Sequence, residues 1–184
     1  MDADLKETKT SGNLFDPTPQ MREAKNLQIF NINGKGFLKM ELNSDGGFTV
    51  TATGTVNDPY AKWTIHYLAS VNESCQETFI ENEKCSEDQG SPCVLHTKKL
   101  AESEDFILNG SKIDRIPAYL EKDHHSIGFR KCAKAWGSKI MRFSSLYDTD
   151  EKPLYIGFDK QGHSIPLNKV NPHSPDFQSL FEIQ

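Results

Sequence analysis

The sequence lacks the short motifs by which most enzymes are recognised. Its 184 residues contain no G-x-S-x-G nucleophile elbow, no P-loop, no H-E-x-x-H zinc motif and no dinucleotide-binding fingerprint. Cations flank Cys132, but no His–Asp relay accompanies it in sequence, so we interpret it as a structural thiol. These absences predict that the protein is not an enzyme and that it acts by binding a partner.

Metal-binding patterns are equally scarce. His124 and His125 are adjacent, so their side chains point in different directions from either a strand or a helix. Cys93 and His96 have the spacing of one half of a zinc site, but no second close pair accompanies them. We therefore expect no metal site and no cofactor.

The chain also lacks a long apolar stretch and a cluster of basic residues. No segment approaches the roughly 18 apolar residues that cross a membrane. The net charge is −5, and no basic run exceeds two residues, whereas a nucleic-acid footprint requires clustered cations. We expect a monomer with no nucleic-acid partner and no membrane insertion.

The N-terminus has no apolar segment of the kind that a secretory signal requires. Residues Met1 to Glu7 are polar and acidic. Either the protein is made in the cytoplasm without a signal peptide, or a leader has been removed. Residues 1–25, which include Asp16-Pro17-Thr18-Pro19, are predicted to be a flexible N-terminal arm or pro-segment, because prolines this close together disfavour helix and sheet.

Cysteine is rare, and its spacing is irregular. The four cysteines include no C-x-x-C pair, and a small secreted scaffold would carry a denser disulfide framework. We expect free thiols, and the alternative is a Cys75–Cys85 or Cys85–Cys93 bridge.

What the sequence does contain is a series of short strand patterns over residues 26–184. Apolar and polar residues alternate between turn dipeptides such as Asn33-Gly34, and no long segment has a helical period. About twelve strands at this spacing predict an all-β domain. The predicted strands are Leu27–Ile32, Phe37–Leu42, Phe48–Thr53, Trp63–Leu68, Cys93–Thr97, Phe106–Leu108, Ser126–Cys132, Lys139–Phe143, Pro153–Phe158, Ser164–Leu167 and Phe177–Ile183.

Two segments have weaker patterns. Residues 70–92 are polar, and they predict a strand or short helix near Glu77–Glu81 followed by a long surface loop. Residues Tyr119–His125 predict a short helix.

The C-terminal third resembles the interleukin-1 family of cytokines. Phe143-x-Ser145-Leu146 fits the first half of a family pattern, and Pro153 with Tyr155-Ile156 fits the second half. The segment Pro175-Asp176-Phe177-Gln178 is similar to the closing strand of that family. The match departs from the pattern at about four extra residues between the two halves and at Gly157-Phe158.

This resemblance implies a β-trefoil of about twelve strands. It implies a cytokine, agonist or antagonist, that binds cell-surface receptors with immunoglobulin-like domains. It also implies release from the cytoplasm to the extracellular space without a signal peptide.

The runner-up is the fibroblast growth factor family, which also consists of trefoils. Gly36-Phe37-Leu38, Asp58-Pro59-Tyr60 and the segment 155–162 are similar to it. The heparin site of that family needs a basic cluster after the last of these segments, where residues 168–173 offer one lysine. Heparin is therefore not an expected partner. A lectin or protease inhibitor on the same fold is a further alternative, although the Q-x-W repeat of ricin-type lectins is absent.

Candidate receptor-binding residues are charged or aromatic residues in the predicted loops, because binding residues gather on loops over a rigid scaffold. They are Lys35, Asp45, Asp58, Tyr60, Asp148, Asp150, Lys152 and Lys160.

Overall fold

The alternating strand patterns form a curled antiparallel sheet in the computed structural model, so the all-β prediction is confirmed. The structure describes residues 22–70, 74–134, 139–148, 151–175 and 177–184. Within these ranges the strands are β1 (Arg22–Leu27), β2 (Ile29–Asn31), β3 (Gly36–Leu42), β4 (Phe48–Gly54), β5 (Trp63–Ser70), β6 (Cys75–Asn82), β7 (Cys93–Lys99), β8 (Phe106–Lys112), β9 (Phe129–Ala133), β10 (Ile140–Ser145) and β11 (Phe181–Ile183).

The helical segments of the described residues are short. They are the α-helix α1 (Glu83–Gln89) and three 3-10 turns at Pro59–Ala61, Lys122–His124 and Leu167–Lys169. No helix among the described residues is long and apolar enough to cross a membrane.

The period of two residues sorts each strand into a core face and an outer face. In β3, Leu38 and Met40 are buried, and in β4, Val50 and Ala52 are buried, while the residues between them are more exposed. The same alternation predicts these two strands from the sequence.

The strand pairing returns to its starting point. The path runs β1-β5-β6-β9-β10-β11-β2, and only Gln28 separates β1 from β2 along the chain. The C-terminal strand β11 takes part in this closure by pairing with β2, where Asn31 lies opposite Phe181 and Ile29 lies opposite Ile183. The Gln28 N–H donates to the Gln184 carbonyl at 2.9 Å, and the reverse bond measures 2.8 Å.

Three hairpins extend from this ring of strands. The first is β3–β4 and the second is β7–β8. The third lies near the C-terminus, where Phe158 bridges Ser164, and His163 in turn bridges Thr51 of β4.

The main core fills the space enclosed by the strands. Phe181 packs edge to face on Phe143 and Phe158, with ring centroids 5.5 Å and 6.1 Å apart. Trp63 is fully buried, and its indole N–H donates to the Leu38 carbonyl at 2.9 Å. Burying a large apolar side chain contributes about 1.5–3 kcal/mol, so these aromatic residues anchor the fold.

The cysteines do not match the expectation of four free thiols. Cys75 and Cys132 form a disulfide, while Cys85 and Cys93 are free and buried. The alternative pairings Cys75–Cys85 and Cys85–Cys93 are also wrong. The reason is the antiparallel pairing of β6 with β9, which places Cys75 directly opposite Cys132. Sequence spacing gives no sign of this register.

Helix α1 lies where the sequence predicts only a surface loop. Its N-terminus is capped by Asn82, whose Oδ1 accepts from the Cys85 N–H at 2.9 Å, and Gly90 ends it with a left-handed backbone (φ 66°). These are the usual signals for a short helix, but its polar sequence hides the single buried position at Cys85.

Other boundaries also differ from the sequence-based predictions. Residues 22–25 belong to β1 and pair with β5, although the sequence assigns them to the N-terminal arm. The helix predicted at 119–125 is only the 3-10 turn Lys122–His124. The last strand is Phe181–Ile183, because Phe177 has a left-handed backbone (φ 58°) that no strand continues through.

Candidate functional site

The structure brings together Lys35 and Lys160, which are remote in sequence. Lys35 lies in the turn between β2 and β3, and Lys160 lies in the turn of the third hairpin; both are exposed. These turns touch, because a Cβ atom on Gly34 would lie 3.3 Å from the Gly162 Cα. The Ala52 N–H also donates to the Gly162 carbonyl at 2.8 Å. The two lysines therefore lie on turns that touch.

Asp58 and Tyr60 have internal partners. Asp58 caps a 3-10 turn by accepting from the Tyr60 N–H at 2.9 Å, and its other oxygen lies 3.1 Å from the Lys39 amine. The Tyr60 hydroxyl donates to Asp88 at 2.8 Å, and this bond raises the pKa of Tyr60 and lowers that of Asp88. These contacts join α1 to the turn after β4, so the side chains of Asp58 and Tyr60 stabilise the fold.

Asp148 and Asp45 also serve local structure. Asp148 accepts from the Arg130 guanidinium at 2.6 Å and is mostly buried. Asp45 is exposed and accepts from the Gly47 N–H at 2.8 Å, which stabilises the β3–β4 turn. Asp150 lies outside the described residues.

The most distinctive exposed feature is an aromatic pair beside lysines, which the sequence does not predict. Phe106 of β8 and Tyr147 after β10 have ring centroids 6.2 Å apart, and Tyr147 is 42% exposed. The Lys99 amine lies 5.7 Å from the centre of the Phe106 ring, within the range of a cation–π contact. We define the Phe106–Tyr147 surface as His96, Lys98, Lys99, Phe106, Ser126 and Tyr147.

Two clefts meet on this surface. The first, of about 600 Å³, is lined by the residues that define the surface together with Thr97. The second, of about 490 Å³, shares Lys99 and Phe106 with it and extends to Lys152, Pro153 and Val170. Two carboxylates, Glu104 and Glu151, also line this second cleft. Lys152 is thus the only described candidate residue that lines a cleft of this surface.

The carboxylates next to the two aromatic residues are already paired. Asp105 accepts from the Asn168 amide at 3.0 Å and lies 3.3 Å from the Lys169 amine. The Asn168 hydrogen bond, followed by the contact with Lys169, lowers the pKa of Asp105. Asp148 is held by Arg130, as described above. Neither carboxylate is therefore available to neutralise Lys98 or Lys99.

The lysines of the surface have no carboxylate partner among the described residues. Neither Lys98 nor Lys99 forms an ion pair there, and no Asp or Glu lines the first cleft. Burial, together with Lys98, lowers the pKa of His96, so this ring is neutral at pH 7. The positive charge of the surface is therefore carried by the two amines.

The two free thiols, Cys85 and Cys93, are buried. Burial raises the pKa of the Cys85 thiol to about 12, which keeps the sulfur protonated. Within the described ranges, no group of three or more His, Cys, Asp or Glu side chains is placed to hold a metal ion. The chemistry that the Phe106–Tyr147 surface offers is apolar contact and attraction of anions.

Comparisons with known proteins identify no relative of this chain: no family model matches it, and no curated protein is significantly similar to it.

Proposed function

We propose that the chain is a β-trefoil. Support comes from the strand pairing, which forms a closed ring. The ring runs through β1, β5, β6, β9, β10, β11 and β2, and it closes because β2 follows β1 directly along the chain. Three hairpins extend from it at intervals along the chain, two as full strands and the third as the bridge between Phe158 and Ser164. A ring with three hairpins is the arrangement that the family resemblance implies.

We further propose that the protein is an interleukin-1-like ligand, agonist or antagonist, of receptors with immunoglobulin-like domains. The two halves of the family pattern support this, because they pair in the fold. Ser144 bridges Tyr155, and the Ile156 N–H donates to the Phe143 carbonyl at 2.9 Å. The residues that carry the resemblance thus form one structural unit despite the extra residues between them.

The single observation that carries the binding proposal is the Phe106–Tyr147 surface. Aromatic residues are enriched among the residues that dominate binding energy at protein interfaces. Here the exposed Tyr147, the half-buried Phe106, two amines and two adjoining clefts lie on a scaffold of paired strands. A receptor domain is the kind of partner that such a surface suits.

Release to the extracellular space is part of the same proposal. The Cys75–Cys132 disulfide supports it, because disulfides persist in oxidising compartments and are rare in the cytosol.

The test is a binding screen of receptor ectodomains made of immunoglobulin-like domains, with interleukin-1-type receptors first. The protein is immobilised in two forms, the full chain and a chain without residues 1–21, which keeps all of β1. We expect saturable binding of at least one ectodomain to one of the forms. If no ectodomain binds either form while both are folded by circular dichroism, the proposal is wrong.

A growth-factor-like ligand is the second candidate, and the convergence of Lys35 and Lys160 favours it. Retention on a heparin column above physiological salt, lost in Lys35→Glu/Lys160→Glu, would support this candidate. Elution of the wild-type protein in the flow-through would count against it.

A further inference from the structure

We infer that the first cleft of the Phe106–Tyr147 surface binds an acidic segment of a partner protein, one that presents an apolar or aromatic side chain beside its carboxylates. The inference rests on the proposed function, and it adds the chemistry of the partner's contact segment.

The acidic character follows from the charges of the cleft. Lys98 and Lys99 are exposed and form no ion pair with a described residue, whereas Asp105 and Asp148, the sequence neighbours of the two rings, are paired. Glu104 and Glu151 line the second cleft and not the first. Whole-molecule attraction cannot bring in an acidic partner, because the net charge of the chain is −5. A local cationic cleft on an acidic protein confines the attraction to this place and makes it sensitive to salt.

The apolar character follows from the two rings. Tyr147 is among the exposed large hydrophobic residues described, and its ring centroid lies 6.2 Å from that of Phe106 and 6.3 Å from that of His125. Rings held in this way lose little conformational entropy when a partner side chain packs on them. The Lys99 amine beside Phe106 places a charge within reach of the same partner segment.

A protein segment fits this cleft better than a sulfated glycan does. Glycans of that kind need several cations and little apolar area. The first cleft is lined by two lysines, one neutral histidine and two aromatic rings. Carboxylates next to an aromatic or aliphatic side chain would use all of these groups.

The experiment is a titration of ¹⁵N-labelled protein with the blocked peptide Glu-Asp-Tyr-Asp-Glu, followed by amide chemical shifts. Two matched peptides separate the contributions: Gln-Asn-Tyr-Asn-Gln lacks the charge, and Glu-Asp-Ala-Asp-Glu lacks the ring. We expect shifts at residues 96–99, 106–107 and 145–148, and weaker binding of both matched peptides. Raising the salt concentration is expected to weaken binding of the charged peptides.

Charge and ring variants test whether the peptide binds at the first cleft. Lys98→Glu/Lys99→Glu is expected to weaken binding of the charged peptide by roughly tenfold or more, which corresponds to about 1.4 kcal/mol or more. Lys112→Glu, on the same hairpin but outside the cleft, is the charge control. Tyr147→Ala tests the contribution of the ring in the cleft. Tyr119→Ala, which removes a similarly exposed ring from the loop before β9, is its control.

Three results would overturn the inference: no shifts at millimolar peptide, equal binding of the uncharged peptide, or displacement of the peptide by a heparin fragment at equal concentration. The titration uses no receptor, so it can fail while the receptor screen succeeds. A receptor that binds the wild-type protein and Lys98→Glu/Lys99→Glu equally well would also overturn it, and would leave the proposed function intact.

Discussion

At the scale of single residues, the close approach of three backbone segments depends on glycine. A Cβ on Gly36 would overlap the Ala52 carbonyl, and a Cβ on Gly162 would lie 2.7 Å from the same oxygen. Gly162 also has a positive φ of 81°, which glycine adopts without strain. These contacts bring the β2–β3 turn, β4 and the third hairpin together.

Gly36→Ala should therefore destabilise the protein by about 1–3 kcal/mol, the usual cost of overpacking. Backbone atoms surround this position, so no flexible side chain can move away. Urea unfolding at neutral pH measures the change. Gly47→Ala, where the nearest atom is an Asp45 side-chain oxygen at 3.2 Å, is the control and should cost less. Equal stability of Gly36→Ala and the wild type would contradict the close contact between Gly36 and the Ala52 carbonyl.

Thiol chemistry gives a second prediction at this scale. Cys85 and Cys93 are buried, and burial raises the pKa of both thiols, so iodoacetamide should label neither in the native protein at pH 8. Unfolding without a reductant should expose two thiols, and reduction should expose all four. Mass spectrometry of peptides checks the assignment. Labelling of Cys75 or Cys132 before reduction would contradict the disulfide.

At the scale of elements, Glu81 connects β5, β6 and α1. Its carboxylate lies 2.8 Å from the His66 Nε2 and also bonds to Ser86. Burial raises the pKa of Glu81, but the hydrogen bonds from His66 and Ser86 outweigh it, and the net pKa is lowered from 4.5. A carboxyl with a lowered pKa stabilises the folded state above its unfolded pKa, and this stability is lost as the pH falls through the folded pKa.

Glu81→Gln should accordingly be less stable than the wild type at pH 7, and the difference should shrink between pH 5 and pH 3. Urea midpoints at several pH values measure this. The control is Asp114→Asn, which removes an exposed carboxyl and should leave the urea midpoint close to that of the wild type. A Glu81→Gln penalty that stays constant down to pH 3 would mean that the carboxylate charge is not what stabilises these elements.

The elements differ in how well the sequence predicts them. β3 and β4 could be predicted because their alternation reflects burial on one face, at Leu38, Met40, Val50 and Ala52. Helix α1 could not, because it buries only Cys85 and leaves no apolar period. The Cys75–Cys132 bridge depends on the register of β6 and β9, which lie far apart in sequence.

The candidate site, like helix α1, could not be predicted from the sequence. Loop charges such as Asp58 and Asp148 look available in the sequence, yet they have partners in the fold. In the prominent pair, Phe106 lies in β8 and Tyr147 follows β10, so the two rings meet only through the tertiary structure. The sequence signals that point toward this surface are the Lys98-Lys99 pair and the position of Tyr147 shortly after a predicted strand.

At the scale of the whole molecule, the strands that close the sheet do not carry the aromatic surface. β11 pairs with β2 in the closure, whereas Phe106 lies in β8 and Tyr147 lies just after the end of β10. The closed ring therefore supports the surface without forming part of it. A variant of the surface should change binding with little effect on unfolding.

The most direct test of the account is hydrogen–deuterium exchange on the protein in complex with a receptor ectodomain that it binds. Protection is expected at residues 96–107 and 144–148, which include the Phe106–Tyr147 surface. Residues 113–121, which carry the exposed Tyr119, should exchange as in the free protein. Protection confined to residues 113–121, or the failure of every immunoglobulin-domain ectodomain to form a complex, would contradict the account.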